Sequence, residues 1–241
     1  MPIFRIADLN IKIDPAYNYC TSRLESYRTD CNDIDFEICV TDKEISEHIA
    51  QCTSPCSKDG AESVLILTKL CNTILEKFDG FFFHSSSLML EDEAYVFTAL
   101  SGTGKSTHTA LWREHFGDRV TMINDDKPII RKHNGKFYIY GTPWMGKSDI
   151  GNNVKAPVKA VYILQRGTKN SAVRVSIGDV FKQILEATLV PTDRKNMITL
   201  LSLLDEFFSS VPIYLLTCNT DVSAVQTAYN AANKTNAKES I

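Results

Sequence analysis

The sequence contains no run of the roughly 18 apolar residues that a membrane-spanning helix needs. Its first residues, MPIFRIADLNIKIDP, alternate apolar and polar side chains and lack a basic segment followed by an apolar one, so no export signal is read there. Positive charge is not in excess either. Lys and Arg number 26 against 29 Asp and Glu, a formal net charge of −3, which gives no broad basic field for nucleic acid, and no block of like charge suggests an interaction tail. The seven cysteines are odd in number and accompany no export signal, which excludes a disulfide framework. Cys52 and Cys56 are the only close pair, and a second Cys/His pair at ligand spacing is missing, so they are expected to be small apolar side chains rather than half of a zinc site. There is no internal repeat. What remains is a soluble chain, expected in the cytoplasm with neither nucleic acid nor membrane as partner. Its 241 residues, 44% of them hydrophobic, can bury one sizeable core, or a main core and a satellite.

Residues 1–58 read as a small strand-rich region. Leu9, Ile11 and Ile13 alternate with polar neighbours, as do Ile34, Phe36, Ile38 and Val40, which is the period of half-buried strands. Thr41 and Glu44 have capping-box spacing and predict a short helix through Ile45 and Ile49. Pro55 and Gly60 mark a boundary, so a second region spans residues 59–241. There, Val64, Leu67, Cys71, Ile74 and Phe78, flanked by Leu70 and Leu75, predict one buried helical face. The runs 81–90 and 94–98 predict adjacent strands joined by a turn at 91–93. Asn134-Gly135 predicts a hairpin, because both residues accept positive φ. Further strands are expected at 158–164 and 213–217, and helices at 179–189, 194–208 and 222–232. The stripe of the second of these is Met197, Leu200, Leu201, Leu204 and Phe208. The tail from 233 to 241 is polar and expected to fray.

Chemistry concentrates in residues 95–127, YVFTALSGTGKSTHTALWREHFGDRVTMINDDK. A strand enters a glycine-bearing loop, a helix leaves it, and a second strand delivers Asp125 and Asp126. This is the layout of a nucleoside triphosphate and magnesium site, so ATP and Mg²⁺ are the expected cofactors. Small residues let several backbone N–H groups converge on phosphate, reinforced by the positive end of the following helix. Ser101, Gly102, Thr103, Gly104, Lys105, Ser106 and Thr107 would bind the nucleotide, Lys105 bridging the β- and γ-phosphates and Ser106 ligating Mg²⁺. The first position of the phosphate-loop pattern is Ala99 in place of glycine, the smallest alternative. Asp125 and Asp126 follow Lys105 by twenty residues, so one helix and one strand return them to the same sheet edge. One carboxylate would hold Mg²⁺ (Asp126 is assigned with Ser106) and the other would take a proton from the attacking hydroxyl. Either role can fall to either residue.

SGTGKST followed by the Asp-Asp pair resembles the HPr kinase/phosphorylase catalytic domain and, more distantly, ATP-dependent phosphoenolpyruvate carboxykinase. NDDKP, GTPWMGK and VYILQRG make the chain most similar to HPr-kinase-related proteins, over roughly residues 81–218. The resemblance implies an α/β fold with a phosphate-loop kinase core, a mixed sheet and flanking helices. It implies a catalytic role for His84, in FFFHSSS, near the transferred phosphate, although Ser85 stands where the family usually has glycine. It also implies homo-oligomers. The acceptor side is assigned to Trp144, shielding the site from water, and to Lys147 and Arg166, neutralising phosphoryl oxygens; a hydrophobic anchor and two solvated cations are the alternatives. His108 either approaches nucleotide or lies on a polar helix face.

The leading expectation is therefore a kinase transferring the γ-phosphoryl group to a hydroxyl of a protein, a peptide or a small molecule. Carboxykinase chemistry fits less well, because the chain is short for it and lacks a second metal site of His, Lys and Asp. A nucleotide-binding regulator without transferase activity is the third reading.

Overall fold

The computed structural model describes residues 1–234; helix continues through Asn233 and Lys234, where fraying was expected to begin, and the rest of that expected tail, 235–241, lies outside the described residues. In chain order, β1 (Ile3–Ile6) and β2 (Leu9–Ile13) form a hairpin, α1 (Asn18–Leu24) follows, and β3 (Phe36–Ile38) completes a three-stranded sheet. Next come α2 (Asp42–Gln51), α3 (Lys58–Lys77), β4 (Gly80–Phe82), β5 (Ser86–Leu90), β6 (Glu93–Thr98), α4 (Lys105–Phe116) and β7 (Val120–Asn124). The hairpin β8 (Ile129–His133) and β9 (Lys136–Tyr140) precedes the long β10 (Lys155–Arg166). The chain closes with β11 (Ser171–Val175), α5 (Ile177–Glu186), α6 (Arg194–Ser210), β12 (Ile213–Cys218) and α7 (Ser223–Lys234). This is a mixed α/β architecture with a mixed sheet and flanking helices. No described helix is long and apolar enough to cross a membrane.

The large sheet runs β4-β8-β9-β10-β6-β5-β7, with β12 beside β10 and β11 beyond it. Strand β10 joins its two halves. Lys155–Pro157 pair antiparallel with β9, whereas the rest of the strand pairs parallel with β6 and β12. Because β5 is antiparallel to both β6 and β7, the strands β6, β7, β10 and β12 all run the same way. Their carboxyl ends meet at one edge, the usual place for ligands of α/β sheets.

Period-two alternation explains how both sheet faces are buried. Val96, Val161 and Ile163 face a core with Leu200, Leu204 and Phe207 of α6, while Phe97, Tyr162 and Leu164 face Trp112 of α4 and Val225 and Ala228 of α7. Phe97 and Tyr162 stack with centroids 5.0 Å apart. A third cluster joins Phe4, Ile6 and Ile11 of the small sheet to Ile66, Leu70 and Ile74 of α3 and to Ile129, Tyr140 and Trp144. Arg131 pins this docking, its guanidinium donating to the carbonyls of Ala7 and Phe78.

The capping box forms, Thr41 N donating to Glu44 and Glu44 N to Thr41 Oγ1. The Asn134-Gly135 turn has φ of +50° and +76°. Other expectations need correction. The run 81–90 is two strands, because the chain leaves the sheet at 83–85, where His84 N donates to Ala187 O at 2.6 Å. Helix α3 buries Ile66, Leu70, Cys71, Ile74 and Leu75 and leaves Val64 exposed, since it touches α1, α2, β4 and α6 rather than one partner. In α6 the stripe is Leu200, Leu203, Leu204 and Phe207, and Leu201 is exposed. The region before residue 58 also contains α1, which sequence periodicity does not reveal.

Candidate functional site

Helix α4 starts directly from the loop that leaves β6. Gly102 and Gly104 take φ of +77° and +122°, a region closed to most L side chains, and a Cβ on either would meet nothing within 4 Å. Glycine is therefore required here by backbone conformation rather than by crowding. Gly104 caps α4 without a side-chain hydrogen bond, so the first-turn N–H groups are left to whatever lies in front of them. Lys105 is buried, with Nζ donating to Ala99 O at 3.1 Å. Burial lowers its pKa, and the charges of Asp126 and Asp125 act in the opposite direction.

Strand β7 carries the acidic pair to the same edge. Asn124, fully buried, folds the turn: its Oδ1 accepts from Asp126 N and Lys127 N at 2.9 and 2.7 Å, and its Nδ2 donates to Thr142 O. Asp125 is buried as well, with Ser86 Oγ at 2.5 Å from Oδ1 and Ser148 Oγ at 2.6 Å from Oδ2. Ser86 in turn shares a hydrogen bond with Thr109 of α4. Asp126 is more open. Its carboxylate meets His84 Nε2 at 3.2 Å and the Lys127 ammonium. Burial raises the Asp126 pKa, but the hydrogen bonds and charges of His84 and Lys127 outweigh it, so the group lies below the ordinary carboxylate value and is ionised at neutral pH. Gly146, at φ +69°, packs on this carboxylate; a Cβ there would sit 2.9 Å from Asp126 Cβ.

These groups line one cleft of about 880 Å³, which brings together His84, Ser101, Gly102, Gly104, Lys105, Ser106, Thr107, Asp125, Asp126 and Lys147. Lys147 is exposed and has no ion-pair partner among the described residues. Tyr19 and Arg23 of α1 line the same cleft. The Arg23 guanidinium stacks 4.6 Å from the Tyr19 ring centre and donates to Asp149 Oδ1 at 2.7 Å. Helix α1 is itself held by the buried Glu62 carboxylate, which accepts from Ala16 N and Tyr17 N at 2.7 and 3.1 Å.

Two residues sit elsewhere than the acceptor expectations put them, and of the two alternatives for His108 the polar face does not hold. Trp144 does not shield the cleft; it is buried against the small sheet and donates Nε1–H to Ser63 Oγ at 2.9 Å, as a hydrophobic anchor would. Arg166 lies at the end of β10 and turns to the loop, donating to Thr103 O at 3.1 Å and Gly102 O at 2.6 Å, so it holds the loop's shape and is not beside the acidic pair. His108 is not on a polar face. It is buried, its ring 4.7 Å from that of Phe97, and its Nε2 accepts from Trp112 at 3.1 Å. It lines a second hollow of about 340 Å³ with Thr103, Leu111, Arg166 and Asn219, to which Asp125 and Asp126 do not contribute.

Burial pushes His108 down to about 4 from its ordinary 6.5. The unfolded chain thus binds more protons between those values, and stability falls as pH is lowered through them, by about 2 kcal/mol from pH 6.5 to 5. His108→Gln, which keeps an acceptor for Trp112, is expected to lose that dependence. Urea midpoints at pH 7 and pH 5 measure it, and parallel shifts in the two proteins would show that His108 does not titrate there.

Sequence reasoning missed Tyr19, Arg23, Ser86, Thr109, Asn124 and Ser148. Only Asn124 carried a local signal, an Asx residue directly before the acidic turn. No family model matches the sequence, and no curated protein matches it. The structure of the Hpr(Ser) kinase/phosphatase from Coxiella burnetii is similar at a TM-score of 0.38 and 12% identity, over 66% of this chain and 98% of that one.

Proposed function

We propose that the cleft binds ATP with Mg²⁺ and transfers the γ-phosphoryl group to a hydroxyl acceptor. The observation that carries this reading is the convergence of the 99–104 loop, Lys105 and the Asp125/Asp126 pair on one sheet edge within one cleft. Phosphoryl transfer needs little more from a protein than positioning and charge compensation, and these residue types supply both. The loop N–H groups and Lys105 would hold the β- and γ-phosphates, the base end of the nucleotide lying in the hollow beside His108. Ser106 and one aspartate would hold Mg²⁺, which when bound draws charge from the transferring oxygens.

The sequence reading puts the metal on Asp126. The hydrogen bonding favours Asp125 for the metal side, since Ser86 and Ser148 fix it and Ser86 ties it to α4. Asp126, open to the cleft and ionised beside His84, would then take the acceptor's proton. Lys127 balances its charge. Residues 59–241 carry the donor chemistry in this reading, and residues 1–58 give the acceptor side a wall through Tyr19 and Arg23. With Lys147 also facing the cleft, an acceptor hydroxyl on an anionic molecule, such as serine in an acidic peptide, is favoured over a neutral alcohol.

The test is incubation with γ-labelled ATP and a lysate of the source cells. Label on a protein or small molecule that appears with the intact chain and not with Asp125→Asn/Asp126→Asn is the expected result. Tight ATP binding with no transfer to any pool would replace the kinase with a nucleotide-binding regulator.

A further inference from the structure

The cysteine pair set aside at the outset has a third donor that sequence spacing between pairs does not reveal. His48 lies in the last turn of α2, Cys52 is the residue that ends that helix, and Cys56 directly precedes Ser57, the N-cap of α3. One ligand atom from each, an imidazole nitrogen and two sulfurs, lies within 4.8 Å of the others. Among the described residues no other group of three His, Cys, Asp or Glu side chains meets that spacing. All three are half-buried, so they are neither the inert packed thiols expected from composition nor freely solvated.

We propose that His48, Cys52 and Cys56 bind one Zn²⁺ ion, independently of the nucleotide reading. The donor set is chemically apt: two thiolates and an imidazole suit zinc, whereas Mg²⁺ and Ca²⁺ take oxygen ligands. The geometry needs little change. Tetrahedral zinc with Zn–S of about 2.3 Å places two sulfurs about 3.8 Å apart, so the three donors would draw together by about 1 Å at most. The backbone supplies the arrangement. His48 and Cys52 are one helical turn apart and project to the same side of α2. After Cys52 the chain leaves the helix at ψ 132°, and Pro55 restricts the short connection that brings Cys56 back. The end of α2 presents free carbonyl groups, whose partial negative charge favours a cation, while the start of α3 favours the Cys56 thiolate. On binding, each thiol gives its proton to solvent and the fourth coordination position is left to water. The ion would then close the corner between α2 and α3. That corner positions the first turns of α3, from which Glu62 holds α1 and Ser63 holds Trp144.

The experiment uses the reduced full-length protein and Co²⁺ as the spectroscopic probe. Expected are one equivalent bound with thiolate-to-cobalt charge-transfer absorption and tetrahedral ligand-field bands, displacement by Zn²⁺ and indifference to excess Mg²⁺. Cys52→Ser/Cys56→Ser should abolish the charge-transfer band, and His48→Gln should weaken binding by about tenfold or more. A second measurement needs no variant: Zn²⁺ should slow alkylation of Cys52 and Cys56, mapped by mass spectrometry, while leaving Cys31, Cys39 and Cys218 unchanged. Absence of the band at stoichiometric metal, its persistence in the double variant, or unprotected alkylation at both cysteines would each overturn the proposal.

Discussion

Asp126→Asn is expected to lower phosphoryl transfer by about 10²- to 10⁴-fold, the range measured for loss of a positioned proton acceptor, while changing the affinity for MgATP no more than a few-fold. The split follows from the geometry. Among the described residues the Asp126 carboxylate makes its ion pairs with His84 and Lys127 and not with the 99–104 loop. Asparagine keeps the size and one acceptor oxygen, so the turn built by Asn124 should survive. What it loses is a carboxylate held ionised by its neighbours. Single-turnover transfer together with equilibrium nucleotide binding would check both halves. Unchanged transfer would remove Asp126 from the reaction, and a collapse of binding alone would make it a metal ligand, as first read from the sequence. Asp125→Asn should behave differently. It leaves the Ser86 and Ser148 hydroxyls facing an amide, and its main effect should fall on Mg²⁺ dependence.

Lys105→Met is the second large effect. The aliphatic stem is buried, so methionine preserves packing and removes only the charge. A charge-assisted hydrogen bond contributes about 1.5–3 kcal/mol, and more where water is excluded, so ATP affinity should fall by about 10- to 100-fold. Transfer should fall further, because in the proposed reaction this ammonium would also compensate the charge on the migrating group. Folding should not suffer. The lysine is a buried cation whose pKa burial lowers, so its removal is close to neutral for the protein without nucleotide. Binding by calorimetry and thermal unfolding of the same samples would separate the two, and unaltered ATP affinity would defeat the nucleotide reading.

The loop and acidic-pair side of the cleft was legible because its signals are local. A loop that needs positive φ must show glycine, and Gly102 and Gly104 are visible without any knowledge of the fold. The return of Asp125 and Asp126 to the same edge followed from chain order alone. The Asn134-Gly135 turn and the Thr41 cap were readable for the same reason. The α1 lining was not, because Arg23 meets Asp149 across 126 positions and Glu62 meets Ala16 across 46. Such contacts are decided by topology, and charged residues in those contexts look like any solvated surface. The two readings of Trp144 were left open for a related reason: a tryptophan between glycines suggests a lid, and only the docking of the small sheet supplies the apolar face that makes it an anchor. The stripe of α3 was read correctly at Leu70, Cys71, Ile74 and Leu75 and missed only at its start, where Ile66 and not Val64 is buried because the helix has several partners. Strand β11 escaped notice as a short, largely exposed edge strand carrying Arg174, which gives little hydrophobic signal.

The grip of Arg166 on the carbonyls of Gly102 and Thr103 has a thermodynamic side. A glycine-containing loop is the most entropically costly kind of chain to immobilise, and a receptor that orders such a loop on binding spends part of its interaction energy doing so. Here the immobilisation is charged to folding, through a guanidinium anchored on a strand paired on both sides. Binding of a phosphate-bearing ligand should then resemble insertion into a rigid socket, with a heat-capacity change that reflects surface dehydration and no component from loop ordering.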